Sequence, residues 1–285
     1  MKQKFIDYLL LMRLHRPIGI FLLLWPTLWA LWLAAGGVPP LKVLLVFVLG
    51  TVLMRSAGCA INDFADRAVD PHVARTRDRP IAAGRVPPDE AVRLFVAVSL
   101  IAFGLLTSLH SVRAILLSIP AVVLAASYPF MKRWIAIPQA YLGIAFSWGI
   151  PMAYAALRGV VPWGEVLMLM AANLCWVIAY DTQYAMVDRA DDLRIGVKSS
   201  AIFFGERDLL AVALLHAAAL ALLLALGLTG GRGMAYYAGL VVAAGFAVYQ
   251  QGLTRDREPA RCFRAFLNNN YFGAAVFLGL LLDLR

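Results

Sequence analysis

Again and again along this chain, about 20 consecutive residues pass with almost no charge, the length a helix needs to cross the hydrocarbon core of a bilayer. The windows are Pro17 to Gly36, Leu41 to Ala60, Ala91 to Leu109, Val112 to Phe130, Ile135 to Leu157, Trp163 to Tyr180, Leu209 to Leu228, Met234 to Gln251 and Phe266 to Leu284. With 62% hydrophobic and 15% charged residues, the chain has too much apolar surface and too little charge for a water-soluble domain. The pattern predicts an all-α membrane protein of about nine spans. The first window is longer than the apolar part of a signal peptide, carries Trp25, Pro26, Trp29 and Trp32, and leads straight into further spans, so it reads as a membrane helix.

Sorting the basic residues by side predicts the topology, because cytoplasmic loops hold the excess of Lys and Arg. Lys2, Lys4, Arg13 and Arg16 precede the first window, and Arg67, Arg75, Arg77, Arg79 and Arg85 follow the second. Lys132 and Arg133 follow the fourth; Arg189, Arg194, Lys198 and Arg207 the sixth; Arg255, Arg257, Arg261 and Arg264 the eighth. The alternate loops hold only Lys42, Arg113, Arg158 and Arg232. The N-terminus is therefore expected in the cytoplasm, and the net charge of +9 follows from this bias rather than from a nucleic-acid partner. Cys59, Cys175 and Cys262, like the four scattered histidines, show no metal-ligand spacing.

Chemistry is expected in the two long cytoplasmic connections, about 61–90 and 181–208, which share a plan: an acidic helix end, then a basic loop with a glycine. The first holds Asn62, Asp63, Asp66 and Asp70; the second holds Asp181, Asp188, Asp191 and Asp192. Residues four apart lie on one helix face, so Asn62, Asp66 and Asp70 form one row, and Asp181, Asp188 and Asp192 a second with Tyr184 beside it. Carboxylates gathered at a membrane edge repel one another unless cations neutralise them, and magnesium shared with a diphosphate is the natural solution. Two ions between the rows are expected. Arg77, Arg79, Lys132, Arg133, Arg194 and Lys198 are candidate partners for the remaining diphosphate charge. Arg55 stands inside the second window, where an arginine needs a partner, and is expected to anchor an anionic group of a substrate.

These motifs resemble the UbiA superfamily of intramembrane prenyltransferases, whose signatures NDxxDxxxD and DxxxD read here Asn62-Asp63…Asp66…Asp70 and Asp188…Asp192. The segments Leu14–Gly19, Arg55–Asp63, Ala74–Pro80, Gly196–Ser200 and Asn268–Tyr271 are similar to the bacterial branch that prenylates 4-hydroxybenzoate in ubiquinone synthesis. The resemblance covers nearly the whole chain and implies one transmembrane domain, 1–285: a bundle around a central cavity, with a cytoplasmic cap from the two long loops. It implies that Asn62, Asp66, Asp70, Asp188 and Asp192 hold magnesium diphosphate, that Tyr128 and Lys132 match a YxxxK segment near the diphosphate or ring, and that the tail of a polyprenyl diphosphate lies in the cavity. The expected place is the bacterial inner membrane.

The chemistry so implied is loss of diphosphate to leave an allylic cation, attack by the ring carbon ortho to the hydroxyl, and loss of the ring proton, for which Asp181 and Asp191 are both candidates. Other acceptors (a naphthoate, homogentisate or a haem) fit the same spacing. A transporter is the reading from another class, but ion paths favour the bilayer midplane, whereas these carboxylates fall at the ends of spans.

Overall fold

The computed structural model describes residues 2–73 and 75–285 and is helical, with no strand among them. Ala74, in one of the segments quoted above, lies outside them. In chain order the helices are α1 (Lys2–Leu11), α2 (Ile18–Ala35), α3 (Leu41–Ala65), α4 (Pro88–Thr107), α5 (Val112–Met131), α6 (Pro138–Ser147), α7 (Gly149–Arg158), α8 (Trp163–Ile195), α9 (Ser200–Phe204), α10 (Asp208–Thr229), α11 (Met234–Thr254) and α12 (Pro259–Asp283).

Among the described residues, eight segments are long and apolar enough to span a membrane: α2, α3, α4, α5, α6 with α7, α8, α9 with α10, and α12. The expected ninth, α11, forms a helix of full length that packs along α12, but Tyr236, Tyr237, Gln250 and Gln251 dilute its apolar character. Its outward side is nonetheless apolar, with Val241, Val242 and Val248 all exposed. The window at Ile135 to Leu157 forms two helices because Pro151 lacks the N–H that would bond the carbonyl of Ser147, one turn earlier.

The two acidic segments do not fold alike. The spacing predicts a continuous helical row through Asp70, but α3 ends at Ala65, and Asp70 opens a separate 3-10 turn, Asp70–His72. Pro71, with no N–H to bond the carbonyl of Arg67, bars a helix from running on through Asp70, although α3 has already ended several residues earlier. By contrast α8 continues through the whole second cluster and stops only at Gly196, whose φ of 73° suits a glycine cap, with its N–H bonded to the carbonyl of Asp192.

The core lies between α2, α8 and α12, where Trp176 packs against Trp29 at 5.3 Å and Phe272 at 5.2 Å between ring centres. Each such pair adds about 0.5–1.5 kcal/mol beyond area burial. Three consecutive asparagines then tie α12 to three different neighbours. Asn268 Oδ1 accepts from Gln250 Nε2 of α11 at 3.1 Å, and Asn270 Oδ1 accepts from Trp25 Nε1 of α2 at 3.0 Å. Between them, Asn269 accepts from Trp176 Nε1 at 2.9 Å and donates to Gln183 Oε1 at 2.8 Å, both on α8. Since no water reaches these groups, Asn269→Ala leaves an indole N–H and an amide oxygen unpaired and is expected to cost about 1–2 kcal/mol. Thermal unfolding in detergent should show the loss as a lowered midpoint.

Candidate active site

The segments after α3 and within α8 meet at one end of the bundle, joined by basic side chains. Arg75 Nε and Nη2 donate to the two oxygens of Asp188 at 3.0 and 2.5 Å, while its guanidinium lies 4.9 Å from the centre of the Tyr184 ring and within electrostatic range of Asp70. Arg79 Nη1 donates to Asp70 Oδ2 at 2.7 Å and to Asp63 Oδ1 at 3.3 Å. Arg13, reaching in from the turn after α1, donates to Asp63 Oδ1 at 2.5 Å. Arg13 has a φ of 56°, a left-handed conformation that a non-glycine residue adopts at a cost, and its ion pair with Asp63 helps hold it there.

The turn after α5 reaches both acidic segments. Lys132 Nζ stands 2.6 Å from Asp66 Oδ1, Arg133 Nη2 donates to the carbonyl of Ala65 at 2.5 Å, and the Lys132 carbonyl accepts from the Lys198 N–H at 3.2 Å. Lys198 Nζ caps the carbonyl of Trp134 at 3.0 Å. Arg133 and Lys198 are thus spent on backbone carbonyls, which holds the loops together. Two of the expected diphosphate partners turn to water: the side chain of Arg77 is 67% exposed, and that of Arg194 is 75% exposed and paired with Asp191 at 3.6 Å.

Among the described residues, no three carboxylates, histidines or cysteines converge as a ready metal cage. The donors nevertheless fit a hard divalent cation. Asn62 Nδ2 donates to Asp66 Oδ2 at 3.1 Å, the buried Asp66 Oδ1 meets only the Lys132 ammonium at 2.6 Å, and Asp63 Oδ2 is buried with no hydrogen-bond partner. Buried carboxylate oxygens short of donors are costly, and oxygen-seeking cations are what such atoms accept. Burial also pushes the Asp70 carboxyl above the usual carboxylate range, against the pull of Arg79 and with the repulsion of Asp66 and Asp63, so added positive charge here is favourable.

Beneath this mouth lies a cavity of about 820 Å³ with apolar walls from α2, α3, α4, α5, α6, α7 and α12. Exposed Val96, Leu100, Phe103 and Ile119 contribute to its lining, so it reaches the lipid-facing surface between α4 and α5. Its polar wall includes Asn62, Arg75, Arg79, Tyr128, Asp181 and Tyr184; Asp66, Asp70, Asp188 and Asp192 stand outside the lining, the last three of them at or near its arginines. Arg55 also lines the cavity. Its Nη1 donates to Cys59 Sγ at 2.7 Å, its buried Nε has no hydrogen-bond partner, and among the described residues it forms no salt bridge, although Asp181 shares the same cavity wall. Asp191, paired with Arg194, does not line the cavity.

Arg13 and Arg75 are the residues that sequence reasoning took only as topology signals. Nothing in their spacing marks them, since one arginine in a basic loop looks like the next until the chain folds.

A helical bundle with a lipid-open chamber and a mouth of alternating carboxylates and guanidiniums is the frame of a membrane enzyme. Residues 23–277 match the model of the UbiA prenyltransferase family, and the chain belongs to it. The 4-hydroxybenzoate octaprenyltransferase of Nitrosospira multiformis is 59% identical over 281 residues, 99% of this chain and 96% of that protein. A UbiA homologue from Aeropyrum pernix, solved in its apo form, superposes with a TM-score of 0.81 at 28% identity, covering 94% of this chain and 98% of its own. A homologue from Archaeoglobus fulgidus, described as bound to GPP and Mg2+, shares the fold with a TM-score of 0.71 at 18% identity, over 95% of this chain and 99% of that one.

Proposed function

We propose that this chain, acting as one catalytic unit, transfers a polyprenyl group from polyprenyl diphosphate to the carbon of 4-hydroxybenzoate ortho to its hydroxyl, releasing diphosphate. The observation that carries the reading is Arg55, in no salt bridge among the described residues, on the wall of a lipid-open cavity whose mouth is built from two acidic segments. The near-full-length likeness to a 4-hydroxybenzoate octaprenyltransferase supports it.

Asn62, Asp66, Asp70, Asp188 and Asp192 would hold the divalent cation, taken as two magnesium ions, which when bound supplies positive charge to the leaving diphosphate. Arg75, Arg79 and Lys132 already stand among these carboxylates and add hydrogen bonds to the phosphate oxygens, easing departure of the diphosphate with its electron pair. The apolar cavity takes the tail and keeps water from the allylic carbon. Arg55 binds the acceptor's carboxylate and turns the ring toward that carbon, with Tyr128 and Tyr184 as further walls. Asp181, on the same lining, takes the ring proton after attack; the placement of Asp191 makes it the poorer base. We place the carboxylate end toward the cytoplasm of a bacterial inner membrane, with nine crossings including α11, because the basic loops gather at that end.

Labelled polyprenyl diphosphate supplied to purified protein with and without 4-hydroxybenzoate tests the whole reading. Acceptor-dependent release of diphosphate and a prenylated aromatic acid are expected; release to water alone, or no release in detergent, would overturn it. A finer test uses Gly19 of α2, where a Cβ would stand 2.5 Å from both Nε and Nη2 of Arg55. Gly19→Ala pushes the guanidinium aside and is expected to lower kcat/KM for 4-hydroxybenzoate about tenfold or more. Because the obstruction is the end of a flexible side chain, the unfolding midpoint should hardly move.

A further inference from the structure

A second groove, of about 760 Å³, opens on the side of the bundle between α2, α11 and α12, at the end that carries the carboxylates. Its walls are those of a lipid-facing surface: Phe21, Tyr249, Leu267 and Tyr271 line it and are exposed, and Tyr271 stacks on Phe246 at 5.6 Å. Its charge is not: Arg16 and Arg264 both line it, both are exposed, and neither joins any of the ion pairs formed among the described residues, although Arg257 and Arg261 nearby are paired with Asp208 and Asp256. Asn268 and Asn270, which also line it, already spend their side-chain oxygens on Gln250 and Trp25, so the groove floor is rigid. Arg16, Ile18 and Phe263 belong to the walls of both this groove and the large cavity, so the two lie back to back.

We propose that this groove holds the headgroup of an anionic glycerophospholipid. Two unpaired guanidiniums beside exposed tyrosines, above apolar helix faces, match a phosphodiester with its acyl chains running down α2 and α12. Basic pockets between membrane helices recognise such headgroups by charge, and guanidinium forks bond phosphate oxygens well. The phenols sit where aromatic side chains favour the interface between headgroups and hydrocarbon. This occupant is separate from the prenyl donor, which the carboxylate mouth is built to take.

Native mass spectrometry of delipidated protein in detergent, titrated with dioleoyl phosphatidylglycerol or dioleoyl phosphatidylcholine, tests the proposal. The wild-type chain is expected to retain phosphatidylglycerol about tenfold more tightly or better. The double variant Arg16→Gln/Arg264→Gln should bring the two lipids to near parity, while Arg255→Gln, outside the groove, keeps the preference. Should the double variant fail to fold, Arg264→Gln alone should lose part of the preference. The proposal is overturned if the wild type shows no preference, if the folded groove variants keep it, or if geranyl diphosphate or inorganic phosphate displaces the bound lipid as readily as phosphatidylglycerol does.

Discussion

Asp66→Ala is expected to lower prenyl transfer by about three orders of magnitude or more, with the protein still inserted and folded. Asp66 is where the first acidic segment presents a buried oxygen that meets only the Lys132 ammonium, and its other oxygen accepts from Asn62. Removing it costs little stability, because an under-satisfied buried carboxylate adds little to the fold and Lys132 remains partly open to water. It costs much in turnover, because the negative charge that should hold a divalent cation against diphosphate is lost from the centre of the site. Asp188→Ala should behave alike, since it also frees Arg75 from its bidentate partner. The measurement is product formed from labelled donor across a magnesium titration, with Asp89→Ala as control, an exposed residue paired with Arg93 on α4. Wild-type rates in either site variant would remove the acidic segments from the reaction.

Arg55→Ala should act on the other substrate. A cation on a cavity wall, with a buried, unpartnered Nε and no salt bridge among the described residues, gains much from a bound acid, and truncating one side of such a pair costs about 2–5 kcal/mol. That corresponds to a loss in kcat/KM for 4-hydroxybenzoate of about thirtyfold to several thousandfold. Binding of the prenyl diphosphate should change little. The methyl ester of 4-hydroxybenzoate separates this role from a structural one: the wild type should strongly prefer the free acid, and the variant should treat acid and ester nearly alike. A variant that keeps the preference would place the acceptor elsewhere.

The spans were legible because burial in lipid demands unbroken apolar length, and α2, α3, α5 and α10 begin or end within a few residues of their windows. The division of α6 from α7 was not, since apolar residues run on through Trp148 and hydropathy does not register a missing N–H at Pro151. Spacing foresaw that α8 would carry its acidic row as helix, but helical arithmetic alone missed that α3 ends at Ala65, before the first row is complete. In the candidate site, residue type singled out the carboxylates and Arg55 as candidates, and the fold gathers the two acidic segments at one end of the bundle. Residue type could not divide the arginines, because Arg77 and Arg79 are two places apart on one loop, and only the turn decides that Arg79 meets Asp70 while Arg77 faces water. The amphipathic α1 lay below any membrane signal, yet it holds the first loop through Asp7 with Arg85 and through Lys4 and Tyr8 with Glu90.

The asparagine triplet on α12 has a consequence for how the molecule is made. Trp25, Trp29 and Trp176 all leave synthesis ahead of the helix that receives their indole N–H groups, Trp29 giving its own to the carbonyl of Gly273. Until α12 threads between its elders, three polar hydrogens wait in oil. Synthesis halted short of Pro259 would therefore leave those donors without their acceptors and the chamber without the wall that Phe263 and Phe266 supply.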